Sequence, residues 1–202
     1  MDQKTPGKLD QAEPQAGSIL AYKDFIESAK RPLLKPAVWK FDRSLEALHA
    51  SDRDFKRRII ALAHPDLAEE SSAAQDLAIV MQLMKPGERS QLHRHSPWAL
   101  HFALAGQGYT TIEGVRYDWS VGDIVFTPAW AYHEHVNTSD TEDAILYSLQ
   151  NMPMLAHLNS LFREEPAGEP MKHVLRHRPG DPGSYTPPPR EAEEQGKSSW
   201  RA

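Results

Sequence analysis

The chain has 202 residues, 40% of them hydrophobic and 25% charged, a size and mix that fit one globular core with appendages. It has no cysteine, which excludes disulfides, zinc–thiolate clusters and cysteine nucleophiles together. Its 23 basic and 28 acidic residues leave a net charge of -5, without the basic surplus that marks nucleic-acid binding.

The first residues, MDQKTPGKLD, are polar and lack the apolar stretch of a secretory signal. Mean hydropathy is -0.60, and no apolar run approaches the length of about 18 residues that a membrane helix needs. A cytoplasmic protein with no membrane partner is expected.

Residues 1–17 are polar with Pro and Gly and read as a disordered arm. From Ser18 the text becomes helical. Ser18 is placed to cap a helix with Ile19, Leu20, Tyr22, Phe25 and Ile26 on one face, ending before Arg31-Pro32. Ser44 is placed to cap a second, with Leu45, Leu48 and His49. Phe55 to Leu62 reads equally as a short helix or a strand, and Pro65 closes it.

From Asp76 to about Leu149 short apolar runs alternate with Gly, Pro and Asp. Strands are expected at 77–83, 99–104, 109–112, 115–119, 124–126 and 144–149, with Gly106-Gln107-Gly108 as a hairpin turn. Turns every eight to twelve residues between short strands argue an antiparallel barrel or sandwich. Residues 164–202 hold seven of the sixteen prolines and few apolar residues, too little to offset chain entropy, and read as an extended tail. The expected division is therefore 1–73 (polar arm and helical extension), 74–163 (barrel) and 164–202 (irregular Pro-rich tail).

Ten histidines stand out in a chain without cysteine. Two H-x-H motifs, His93-Arg94-His95 and His133-Glu134-His135, fall in the strand-rich zone. Strand side chains alternate faces with period two, so each pair presents both imidazoles on one side. Converging neutral imidazoles make a nitrogen-ligand metal site; scattered ones are ordinary surface or core histidines. Imidazole alone suits Fe, Cu, Ni and Zn alike.

The residues around these motifs carry a resemblance. Gly87, His93-Arg94-His95 and Gly106 resemble the first cupin motif, and Gly122, Pro128, His133 and Asn137 the second, with Trp130 where that pattern has its central glycine. Within cupins the chain is most similar to the gentisate 1,2-dioxygenase group, which includes salicylate and 1-hydroxy-2-naphthoate dioxygenases. The stretches that carry the likeness are Pro86-Gly87, Ala99-Leu100-His101-Phe102, Gly122-Asp123 to Thr127-Pro128-Ala129-Trp130, and Tyr132-His133-Glu134-His135. Upstream, Arg57-Arg58-Ile59-Ile60-Ala61-Leu62 and Gln82 match the group as well. The likeness covers about residues 55–163.

The resemblance implies a mainly β, jelly-roll-like cupin barrel (a double-stranded β-helix). It implies a metal held by His93, His95 and His133, with Fe(II) the implied ion and Mn, Ni or Zn as alternatives. The glutamate of the first motif falls near Ala99 and is absent, leaving a three-histidine site. The implied reaction is ring cleavage of a hydroxylated aromatic acid with molecular oxygen as co-substrate. The substrate anchors differ: the group's A-L-R-F arginine is His101 here, and its W-L-D aspartate falls near Ser148. Two other functions stay open, a metal-dependent isomerase, lyase or decarboxylase, and a non-catalytic module that binds a small ligand.

Further site residues follow. His135 shares the face of His133, as a proton shuttle or hydrogen-bond donor or else as support for His133. His101 lines the barrel as an anion contact or as a satisfied core histidine. Gln82 offers an amide to substrate or sits on an outer face. Arg57 or Arg58 is a carboxylate clamp or a solvated pair. Trp98, Trp130 and Tyr132 wall an aromatic pocket or belong to core or interface. Unpaired sheet edges favour a homodimer or higher homo-oligomer.

Overall fold

The computed structural model describes residues 17–30, 33–51, 53–54, 57–67, 72–168 and 172–173. The expected disordered arm, except Gly17, and the tail beyond 173 lie outside these residues. The chain divides into two compact units between Lys35 and Pro36.

In the first unit, helix α1 (Tyr22–Ala29) begins later than Ser18 would set it. Ala21 is its N-cap, in extended conformation, and the Ala21 carbonyl accepts from Asp24 and Phe25 N–H. In the second unit, α2 (Phe41–Ala50) has Lys40 as its N-cap, so Ser44 is not a cap either. Ser44 lies one turn inside and its hydroxyl donates back to the Lys40 carbonyl at 3.1 Å, the usual outlet for a mid-helix serine.

Within the ambiguous 55–62 segment, Arg57–Ala61 is strand. β1 (Arg53–Asp54) and β2 (Arg57–Ala61) pair with each other, and β2 runs antiparallel to β3 (Ala78–Met84). Pairing with β3 gives this segment the hydrogen-bond partners that an isolated helix of such length would lack. A 3₁₀ turn, Pro65–Leu67, separates the two. Then follow β4 (Arg94–His95), β5 (Ala99–Ala105), β6 (Gln107–Ile112), β7 (Val115–Ser120), β8 (Ile124–Thr127), β9 (His133–Asn137), β10 (Ala144–Gln150), a short helix α3 (Met152–His157), β11 (Phe162–Glu164) and β12 (Lys172–His173).

These strands make a six-stranded sheet in the order β1-β2-β3-β10-β5-β8, a three-stranded sheet β7-β6-β9, and a small sheet β12-β11-β4. The architecture is mainly β, as expected. Glu164, placed by sequence in the irregular tail, ends a strand and is buried. Ile59, Gln82, Leu146 and Ala103 form one cross-strand row, and Ser148, His101 and Val125 another. Met84, Ala103, Val125, Ala144 and Leu146 pack with Trp119 of β7, so this face looks onto the β7-β6-β9 sheet. The opposite face carries Met81, Leu83 and Ile145, which pack with Leu62 and Leu48 of α2.

Gly106 is not in a hairpin. β5 and β6 belong to different sheets, and the chain turns a corner between them. Gly106 sits at φ 74°, and a Cβ there would come within 2.6 Å of the Asp143 carbonyl oxygen, so the corner needs glycine twice over.

Candidate metal centre

β9 presents His133 and His135 on one face by simple alternation, and both are buried. His93 is bound to the same strand: its N–H donates to the His133 carbonyl at 3.0 Å, and its carbonyl accepts from the His133 N–H at 2.8 Å. His95 follows at the same parity, and β5 of the facing sheet adds His101. The His133 ring centre lies 4.2 Å from that of His93, 4.8 Å from His95, 5.7 Å from His135 and 6.3 Å from His101. Period-two alternation thus gathers five imidazoles from three chain segments.

The five divide by the partner of Nδ1. His93 Nδ1 lies 2.8 Å from the Gln91 carbonyl, His95 Nδ1 2.8 Å from that of Pro97, and His133 Nδ1 2.9 Å from that of Ala131. A carbonyl only accepts, so these three Nδ1 atoms carry the proton. Burial lowers the pKa of His93 well below the ordinary value, lowers that of His95, and brings His133 down to about 3, so all three are neutral near pH 7. A neutral imidazole protonated at Nδ1 has its Nε2 lone pair free. One ring nitrogen from each of the three lies within 4.8 Å of the others. Bound nitrogens about 2.0–2.1 Å from a metal sit on the order of 3 Å apart, a closure that small side-chain rotations supply. The donor set fits a first-row metal ion.

A second trio, His101, His133 and His135, meets the same distance test. Its extra members have hydroxyl partners instead: His101 Nδ1 with Ser148 Oγ at 2.7 Å, and His135 Nδ1 with Thr110 Oγ1 at 2.9 Å. Both are fully enclosed; burial brings His101 down to about 3 and His135 well below its ordinary value.

Arg57, on the inward face of β2, brings a cation to the cluster. Its Nη1 lies 3.3 Å from His93 Nε2, and its Nη2 is 2.9 Å from the buried Glu165 carboxylate. Arg58 points the other way and pairs with Glu88 at 3.0 Å. Gln82 is buried on the inward row. The buried side-chain oxygens Thr127 Oγ1 and Gln150 Oε1, without hydrogen-bond partners among the described residues, flank Ala99, where the family glutamate would stand.

The aromatic wall is placed differently from expectation. Trp130 and Tyr132 stack on Arg94, whose guanidinium carbon lies 4.5 and 4.3 Å from their ring centres, and Tyr132 Oη donates to Glu164. Arg94 lies between His93 and His95, and Tyr132 precedes His133, so the alternation that turns the histidines inward turns these side chains away. Trp130 adopts φ 64° at the position where the cupin pattern has glycine. Trp98 binds Asn151 through its backbone N–H, and no ring contact joins it to the histidines among the described residues.

Three residues at or behind the cluster were not among the sequence expectations: Thr110, Trp119 and Glu165. Thr110 faces His135 across the β6–β9 ladder, a register that no local pattern reveals.

The cupin domain family matches residues 80–149. The chain is 30% identical over 167 residues to the 5-nitrosalicylic acid 1,2-dioxygenase of a Bradyrhizobium species, covering 78% of this chain and 80% of that protein. It is 35% identical over 147 residues to gentisate 1,2 dioxygenase 1 of Aquipseudomonas alcaligenes, covering 70% of this chain and 42% of that one. Among solved structures, the salicylate 1,2-dioxygenase of Pseudaminobacter salicylatoxidans superposes with a TM-score of 0.60 at 26% identity, over 71% of this chain and 47% of that chain. The same enzyme is known as an adduct with gentisate. The chain thus spans most of the first relative and less than half of the other two.

Proposed function

The chain belongs to the gentisate 1,2-dioxygenase-like cupins, and from that premise we propose that it is an iron(II) dioxygenase opening the ring of a gentisate- or salicylate-like acid. One observation carries the reading: three neutral imidazoles, His93 and His133 buried and His95 half-buried, whose Nδ1–H groups are all spent on carbonyls, so that Nε2 is the ligand atom of each. His93, His95 and His133 would hold the ion. Iron(II), when bound, supplies the redox and dioxygen chemistry that ring opening requires.

The chain's own residues bind and orient the acid. Arg57 is the cation at the cluster, and its fork is matched to a carboxylate, so it anchors the acid group in exchange for part of its contact with Glu165. Gln82 adds an amide from the inward row. His101 and His135 provide the remaining polar groups, with Ser148 acting through His101. The enclosing sheets keep water from these contacts and hold the acid in one orientation.

The test is oxygen uptake by iron(II)-loaded protein with gentisate, salicylate and 5-substituted salicylates. One oxygen consumed per acid, with loss of the aromatic absorbance, is expected; no uptake with any of them overturns the proposal. We also propose that a second copy covers the edge strand β8, where Ile124 and Phe126 are each 54% exposed. Light scattering is expected to show at least a dimer, and a monomer would refute this.

A further inference from the structure

Thr110 is fully buried, and its hydroxyl has two side-chain contacts. It accepts from Trp119 Nε1–H at 3.1 Å, because an indole nitrogen only donates, and it lies 2.9 Å from His135 Nδ1. Among the described residues the hydroxyl proton has no acceptor other than His135 Nδ1, so it goes there, and a neutral His135 carries its own proton on Nε2. Ser148 repeats the arrangement across the β5–β10 ladder, where its buried hydroxyl lies 2.7 Å from His101 Nδ1. If His101 donated instead, both the serine proton and the His101 Nε2 lone pair would be buried without partners. With Ser148 donating, only the His101 Nε2–H is left over, and Nε2 is the buried atom that lacks a partner.

The two donors lie together. The His101 and His135 rings are 4.5 Å apart at an interplanar angle of 66°, and their ring nitrogens share the 4.8 Å neighbourhood of His133. We propose that His101 and His135 are not metal ligands but a pair of Nε2–H donors, set by Ser148 and by the Trp119–Thr110 relay, that receives an anionic oxygen of the aromatic acid. Where the related enzymes resembled by this chain have an arginine, the pocket has an uncharged N–H. Thr110, Trp119 and Ser148 are positioning residues, since they act through the two rings. The identity of the oxygen's owner rests on the function proposed above; the two tautomers do not.

The experiment is nitrogen NMR of full-length protein with ¹⁵N-labelled histidine, loaded with zinc as a diamagnetic ion and titrated with salicylate and, separately, acetate. His101 and His135 are expected as Nε2–H tautomers whose Nε2–H signals move on adding either acid, while His93, His95 and His133 are Nδ1–H. Thr110→Val should remove the His135 preference and weaken salicylate binding about five- to tenfold at unchanged zinc content, with Thr110→Ser restoring both. Ser148→Ala should do the same at His101. Protonated Nδ1 at either ring, a metal-shifted Nε2 there, or Nε2–H signals that neither acid moves would overturn the inference. If the signals move as described but no acid is consumed with oxygen, the reaction fails while the donor pair stands; turnover with unmoved signals gives the reverse.

Discussion

His133 is the imidazole common to both histidine trios, so His133→Ala separates ligands from donors. A four-ligand zinc site is worth about 10–16 kcal/mol, or about 3 kcal/mol for each ligand, and losing one should weaken binding by about 100-fold or more. The neighbouring rings cannot compensate. His101 and His135 have their Nδ1 atoms on Ser148 and Thr110, and a switch of either to ligation would break that bond inside the core. His101→Ala should therefore leave zinc or cobalt affinity within a few-fold, although its ring is as enclosed as that of His133. Calorimetric titration of the metal-free variants, with melting curves to confirm folding, reads both numbers. Unchanged affinity in His133→Ala, or an equal loss in His101→Ala, refutes the ligand assignment.

Arg57→Lys keeps the charge but loses the two-pronged fork, and it should raise the KM for salicylate about 10-fold or more without changing metal content; an unchanged KM would show that Arg57 does not meet the acid. Metal-free protein should be acid-labile. Burial brings His101 and His133 down to about 3, while the unfolded chain's imidazoles titrate near about 6.5, so between those values the unfolded state binds more protons and stability falls as the pH drops. About one pH unit below the unfolded value each costs about 1 kcal/mol, and above it neither contributes; melting temperatures that stay level from pH 7 to pH 5 would contradict this. Leu48→Ala should cost about 3 kcal/mol in urea unfolding, because Leu48 is fully buried against Met81, Leu83 and Ile145, and a loss under 1 kcal/mol would mean that α2 does not anchor the sheet.

The position of Arg57 shows how local and distant information divide. Its type and its place in an apolar segment were visible in the sequence, but whether it faced the histidines or solvent depended on the register of β2 against β3. Arg58, one residue on, has the same local context and pairs with Glu88 outside the cluster. Glu165 lay in a stretch whose composition reads as tail, and only the pairing of β11 with β4 brings it beside Arg57.

What the sequence by itself determined was alternation: side chains two apart in a strand share a face, so each H-x-H motif had to present its imidazoles together. The same rule already turned Tyr132 away, although its ring had suggested a pocket wall. The tertiary structure alone decided which protons the imidazoles carry. That depends on whether a carbonyl or a hydroxyl meets Nδ1, and the hydroxyls of Thr110 and Ser148 reach His135 and His101 only across ladders that join strands 25 and 47 residues apart.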